Sequence, residues 1–295
     1  MRAAVIVEGR IEIQERPDPV PGEGEVLIRV RAAGVNGADL MQRAGRYPPP
    51  PGAPPDIPGL ECAGETERGE RVMALLAGGG QAELVAVHES HLLPVPDGVD
   101  WPQAGGFMEV FATAHDALFA QADLREGERL LVNGAAGGVG TAAVQLGVQA
   151  GATVTATARH HLEQLRELGA ADTEASGDYD VILELVGGDN LRTNLERLSL
   201  KGRIAVIGTG AGATAEVNFH RLMSVRGRIH GSTLRPRPRV EKAEVIRRLD
   251  EDMLPLFGAG RVTVPIHATY PLDHAQEAYE AFAAGGKFGK IVLAV

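Results

Sequence analysis

Over the first hundred positions apolar and polar residues form short runs, at 3–7, 11–14, 25–32, 71–75 and 83–87, separated by Gly- and Pro-rich turns; each run reads as a β-strand. The prolines at 48–51, 54, 55 and 58 make a stiff extended loop of the kind that flanks a cleft. From about residue 104 the period changes. Residues 111–120 read as a helix leading into 129–132, an apolar run bounded by Glu128 and Asn133 that reads as a buried parallel strand. Val139, Ala143, Leu146 and Ala150 then recur at helical spacing, and 153–157 read as the next strand. Strands at 180–185, 203–207 and 228–232 alternate with a helix near 191–198. That alternation predicts a doubly wound parallel sheet with helices on both faces. A long amphipathic helix is expected over about 240–256. The closing run 289–295 is a strand with no helix after it, so it is expected to return to the β-rich part.

The junction of the first parallel strand and its helix reads Asn133-Gly134-Ala135-Ala136-Gly137-Gly138-Val139-Gly140. A pyrophosphate must approach the main chain closely there, where the free N–H groups of a helix start attract its charge. Gly137 allows the approach, Gly140 lets helix pack on strand, and Ala135 stands where a first glycine usually is. A Gly-rich turn alone is weak evidence. Here strand, turn, helix and second strand follow in the required order, which points to a dinucleotide.

Composition narrows the class. At 295 residues the chain accommodates two domains, and 44% hydrophobic residues support two cores. With only 4% aromatics, those cores must be packed by Ala, Val, Leu and Ile. A formal net charge of −10 argues against nucleic acid as the main partner, because phosphate binding needs a basic surface. The single cysteine, Cys62, allows no internal disulfide, no run is long enough to span a membrane, and the apolar start is too short for a signal peptide. A soluble, reduced, cytoplasmic protein is expected.

Four segments, 33–39 (Ala-Gly-Val-Asn-Gly-Ala-Asp), 59–64 (Gly-Leu-Glu-Cys-Ala-Gly), 135–140 and 289–293 (Gly-Lys-Ile-Val-Leu), spread over the whole chain. Through them the chain resembles the medium-chain dehydrogenase/reductase superfamily, and within it the zinc-free quinone oxidoreductases of the zeta-crystallin type. The resemblance implies an α/β fold: a GroES-like β domain at 1–106 and 262–295, a Rossmann domain at 107–261, and an active site in the cleft between them. It also implies a homodimer that pairs its Rossmann sheets along the strand at 228–232, covering an open edge.

Zinc members of the superfamily carry Cys in the segment matching Asn36 and His where this chain has Leu60. A catalytic zinc needs three protein ligands and an open position, which these residues do not supply; the lone cysteine excludes a four-cysteine site. No metal is expected. Without a Lewis acid, simple alcohol oxidation has no evident means of holding the alkoxide. Quinones and activated enones accept hydride readily, and a few hydrogen-bond donors suffice for the developing oxyanion.

NAD-preferring folds end the second strand with an acid that binds the ribose hydroxyls; here the stretch is Thr157-Ala158-Arg159-His160-His161, with no acid before Glu163. Arg159 suits a 2′-phosphate by charge-assisted bonds, so NADPH is the expected cofactor, with His161 or Arg235 as further phosphate candidates. NADPH-using relatives often carry Ser-x-x-Lys at this point and a Tyr further on; this chain has Ala158 and His161 and no clear Tyr counterpart.

By resemblance, Ala135, Gly137, Gly138 and Val139 meet the pyrophosphate, while Val186, Gly208, Thr209, Thr233, Leu234 and Lys287 are the other cofactor contacts. Asn36 matches the family's active-site asparagine, Tyr47 a tyrosine able to stack on a flat quinone, and Thr113 a threonine beside the nicotinamide. Glu61 and Glu109 read as structural carboxylates paired near the domain junction. The expected function is NADPH-dependent quinone reduction. Two alternatives stay open: reduction of an alkenal or enone double bond, and a non-catalytic NADPH-binding protein.

Overall fold

A computed structural model describes all 295 residues, which divide into two compact units: 1–112 with 234–295, and 113–233. The first unit is β-rich. Its strands are β1 (Arg2–Val7), β2 (Arg10–Glu15), β3 (Glu25–Val35), β4 (Glu61–Thr66), β5 (Arg71–Leu75), β6 (Leu84–His88) and β7 (Leu92–Pro94). Helix α1 (Gly37–Arg43) follows β3, and α2 (Trp101–Gly105) precedes α3 (Met108–His115), on which the chain passes into the second unit. There β8 (Arg129–Asn133), α4 (Gly138–Gln149), β9 (Thr153–Thr157), α5 (Leu162–Glu167), β10 (Tyr179–Glu184), α6 (Asn190–Glu196), β11 (Leu198–Val206), α7 (Phe219–Val225) and β12 (Arg228–Gly231) alternate. The return to the first unit adds α8 (Arg239–Asp252), α9 (Leu254–Gly258), β13 (Ile266–Pro271), α10 (Ala275–Ala284) and β14 (Lys290–Ala294).

Strand β14 lies antiparallel to β3 and parallel to β13, so the last segment closes the sheet of the first unit. That sheet runs β13-β14-β3-β4-β5-β7, with β6 also on β3. Ile291 and Leu293 pack with Val35 and with Leu272, Ala275, Ala278 and Tyr279 around α10, and Val292 is buried as well, in keeping with the continuous apolar run of the terminal strand.

The second unit holds five parallel strands in the order β12-β11-β10-β8-β9. The order reverses direction between β8 and β10, the place where such sheets open a crevice at their carboxyl ends. The fold is therefore mixed α/β, with a Rossmann-type parallel sheet. The core beside it is Leu131, Tyr179, Ile182, Leu195, Leu198 and Ile204, aliphatic but for one ring.

Two elements differ from the pattern of the sequence. The expected helix over 240–256 is two helices, because Pro255 has no N–H to continue α8 and instead takes an early position in α9. The helix expected over 111–120 begins at Met108 and widens into a π-helical stretch over Asp116–Gln121.

Candidate functional site

The Gly-rich turn of the second unit is tied to β9: the N–H groups of Gly134 and Ala135 both donate to the Thr157 carbonyl, at 3.1 and 3.0 Å. Gly137 caps α4 in extended conformation, and no side chain caps the helix. The leading amides of a helix lack intrahelical acceptors, so those of Gly138, Val139 and Gly140 present N–H groups at its positive end. A Cβ on Gly140 would stand 2.6 Å from the Cα and carbonyl oxygen of Ala135, so only glycine allows this packing. An uncapped twelve-residue helix behind a close backbone turn fits a pyrophosphate. Ala135 is fully buried and supports the turn from beneath.

Beyond β9, Arg159 is exposed, and His161 starts α5 with φ at 68°. The alternative cation, Arg235, is elsewhere. It is 3% exposed in the first unit, bound to the Ala77 carbonyl (2.8 Å), the Gln42 amide oxygen (2.7 Å) and the Tyr47 carbonyl (3.2 Å). Its guanidinium is spent on structure, which removes it from the phosphate candidates.

At the strand-order reversal a buried carboxylate organises the next loops. Glu184, 1% exposed at the end of β10, accepts from the side-chain amides of Asn133 (2.9 Å) and Asn194 (2.6 Å) at one oxygen. Its other oxygen accepts the N–H groups of Val186 (2.6 Å) and Gly187 (2.7 Å). The Gly208 N–H reaches the Glu184 carbonyl, and Gly188 and Ala211 tie the 186–188 and 209–212 segments together. Val186, Gly208 and Thr209 are thus brought to one place. Thr233 is exposed at the end of the second unit, while Leu234 is buried in the first.

The first unit has its own buried polar network. Lys290 Nζ lies 2.6 Å from Glu61 Oε1, with the pair almost wholly buried, and also donates to Asn36 Oδ1 (2.6 Å) and the Val35 carbonyl (3.1 Å). The Asn36 amide donates to the same Glu61 oxygen at 2.9 Å. Gly34 makes room for that carboxylate, since a Cβ there would collide with Glu61 Oε1. The second Glu61 oxygen accepts the backbone N–H of Glu109 at 2.8 Å. Asp39, fully buried, accepts the N–H groups of Asn36 (2.8 Å) and Gly59 (3.0 Å). Burial nevertheless pushes its carboxyl up to about 6.

Asn36 is therefore held by Glu61 and Lys290, with one amide hydrogen left over. Tyr47 is partly buried beneath the Arg235 guanidinium, 5.2 Å from its ring centre. Thr113 lies four residues beyond Glu109 on α3. Lys287 has its Nζ 4.2 Å from the Phe282 ring centre, and burial together with Lys290 pushes its ammonium down to about 8. Sequence reading overlooked Lys290, whose place in an apolar terminal run gave no sign of an ion pair. No group of three or more His, Cys, Asp or Glu side chains could hold a metal ion.

Residues 22–97 match the alcohol dehydrogenase GroES-like domain, and 162–293 match the zinc-binding dehydrogenase family. With these domains and this sheet, the chain belongs to the medium-chain dehydrogenase/reductase superfamily of oxidoreductases. Within it, the chain belongs with the quinone oxidoreductases. It is 32% identical to the mouse quinone oxidoreductase, covering 93% of this chain and 90% of that one. The mouse synaptic vesicle membrane protein VAT-1 homolog-like is 29% identical over 100% of this chain and 81% of its own length. Among solved structures, the quinone oxidoreductase from Thermus thermophilus, studied also in complex with NADPH, superposes with a TM-score of 0.88. It is 33% identical, and each chain is covered in full. No helix here is long and apolar enough to cross a membrane.

Proposed function

We propose that this oxidoreductase is an NADPH-dependent quinone reductase that works without zinc. The observation that carries the reading is the uncapped start of α4, with Arg159 exposed past the neighbouring strand. Ala135, Gly137, Gly138 and Val139 form the pyrophosphate seat, and Arg159 and His161 receive the 2′-phosphate. Val186, Gly208, Thr209, Thr233, Leu234 and Lys287 serve the nicotinamide half. NADPH supplies the hydride. Asn36, Thr113 and Tyr47 hold the acceptor: amide and hydroxyl donors for its oxygen, a ring for its plane. The zinc-independent reading rests on Leu60, 1% exposed and apolar where zinc members place a histidine. The NADPH complex of the Thermus thermophilus enzyme supports the cofactor.

A homodimer paired along β12 belongs to the same proposal. That strand has β11 on one side only, and Phe219 and Met223 on the adjoining α7 are 69% and 64% exposed. A cytoplasmic setting suits the free, buried Cys62 thiol.

Steady-state NADPH oxidation with 1,4-benzoquinone, 9,10-phenanthrenequinone and 2-alkenals tests the reading. Turnover with the quinones and little with the alkenals is expected. Preference for the alkenals would replace it with double-bond reduction, and tight NADPH binding with no turnover would make the chain a non-catalytic binder.

A further inference from the structure

In the second unit the last residues of three neighbouring strands stand in register. Asn133 ends β8, opposite Thr157 at the end of β9 and Glu184 at the end of β10. Paired residues of neighbouring strands point to one face, so the three polar side chains meet. Thr157 Oγ1 donates to Asn133 Oδ1 at 2.8 Å. Asn133 Nδ2 gives its two hydrogens to Glu184 Oε2 (2.9 Å) and Asn194 Oδ1 (2.7 Å), and Asn194 Nδ2 donates to Glu184 Oε2 in turn (2.6 Å). A carboxylate only accepts, so the Asn133 amide has one allowed orientation, with its oxygen toward the Thr157 hydroxyl. Asn133, Glu184 and Asn194 are all buried.

Each end of this row continues into a loop. The Thr157 carbonyl holds the N–H groups of Gly134 and Ala135, in the turn that follows Asn133 directly. The free oxygen of Glu184 holds the N–H groups of Val186 and Gly187. The two loops also lie against each other: Gly134 has φ of 78°, and a Cβ on it would stand 3.0 Å from Val186 Cγ2. Asn133 is the member they share. It precedes one loop in the chain and reaches the other through Glu184.

We propose that Asn133 is a positioning residue for the dinucleotide: it sets the pyrophosphate turn and the Val186–Gly187 loop at one fixed spacing before the cofactor arrives. The inference rests on the reading of the cofactor seat given above, and it needs the second unit alone. A ligand whose two halves engage two loops binds more tightly when the loops are already spaced to suit it, because less ordering is left for the binding step. A ligand that engages the turn alone gains nothing from that spacing. Asn133 therefore matters for NADPH far more than for 2′,5′-ADP, which carries the adenosine phosphates and no nicotinamide.

Asn133→Leu removes the Asn133 bonds at nearly constant volume. Calorimetric titration at one salt concentration should show NADPH binding at least about tenfold weaker, with 2′,5′-ADP within about twofold of the wild type. Hydrogen exchange of the cofactor-free protein should show the amides of Val186 and Gly187 opening at least about tenfold faster, with those of β14 unchanged. Thr157→Val is the milder variant. It keeps the carbonyl that holds the turn and deletes only the hydroxyl that orients the Asn133 amide. NADPH should weaken about fivefold there, with 2′,5′-ADP again unmoved. Should Asn133→Leu fail to fold, Thr157→Val decides alone. Equal losses for the two ligands, or none for either, would overturn the positioning role and leave the cofactor reading intact. A wild type that binds no nicotinamide dinucleotide would overturn both, whatever the exchange rates.

Discussion

Glu61 in the first unit and Glu184 in the second are both buried carboxylates that bind an asparagine amide, yet they are built for different ends. Glu184 meets four neutral donors: the amides of Asn133 and Asn194 hold the carboxylate, and the N–H groups of Val186 and Gly187 tie it to the loop after β10. Glu61 meets a lysine ammonium and the Glu109 backbone N–H, and its charge acts on the Glu109 carboxyl. Saturation by neutral dipoles makes a rigid scaffold. A charged pair beside a second carboxyl disfavours that neighbour's charged form. One cluster thus holds a loop still, and the other sets two carboxyl groups against each other.

Removing the cation from the first cluster gives the largest expected effect. Lys290→Met leaves Glu61 buried and unpaired; breaking a buried pair from one side costs about 3–5 kcal/mol. Urea unfolding should show that loss, and a change below about 1 kcal/mol would mean that Glu61 finds another partner.

The corresponding change in the second cluster is milder. In Glu184→Gln one carboxylate oxygen becomes an amide nitrogen that must face donors it cannot accept from. A loss of about 1–3 kcal/mol is expected, as for buried groups left unsatisfied. It should come with weaker NADPH binding, because Val186 and Gly187 lose their anchor. Full stability with unchanged affinity would show that the loop is held by the Gly188–Gly212 and Ala211–Val186 bonds instead.

A third effect is read by pH. A carboxyl raised by folding stabilises the protein at pH below its ordinary value, and that contribution is lost as pH climbs through its folded value. For Glu109 the window runs from 4.5 to about 8, and for Asp39 from 3.8 to about 6. The Tm of the wild type should therefore fall from about pH 5 to 8.5 more steeply than that of Glu109→Gln. Parallel curves for wild type and Glu109→Gln would show that Glu109 is not a protonated acid.

Much of the dinucleotide-binding part was legible because its signals are local. A strand, a Gly-rich turn and a helix in sequence need only neighbours along the chain, and they reappear as β8, the turn and α4. The terminal strand was legible too, since 289–295 is apolar with no helix to follow and pairs with β3. Long-range chemistry was not. Lys290 carries no local sign of its role; only β14 lying beside β3 brings it to Asn36 and Glu61, more than two hundred positions earlier. Glu61 and Glu109 read as a structural pair of carboxylates. The structure joins them through the Glu109 N–H rather than through two carboxyl groups, which leaves the second side chain disengaged. Arg235 reads as a phosphate candidate because its acceptors, Ala77, Tyr47 and Gln42, lie in distant loops and a helix.

The phosphate seat proposed for the second unit is the point on which the functional reading depends, and Arg159 tests it most directly. Arg159→Glu turns an attraction for the 2′-phosphate into a repulsion and leaves the turn at 134–140 untouched. A charge-assisted contact is worth about 1.5–3 kcal/mol, or roughly one to two orders of magnitude in affinity. The quantity to measure is the ratio of the dissociation constants for NADH and NADPH, at one fixed salt concentration because exposed charges are screened. The wild type should favour NADPH, and in Arg159→Glu the ratio should drop at least about tenfold with NADH affinity nearly unchanged. A wild type that favours NADH, or a ratio unmoved by the substitution, would contradict it.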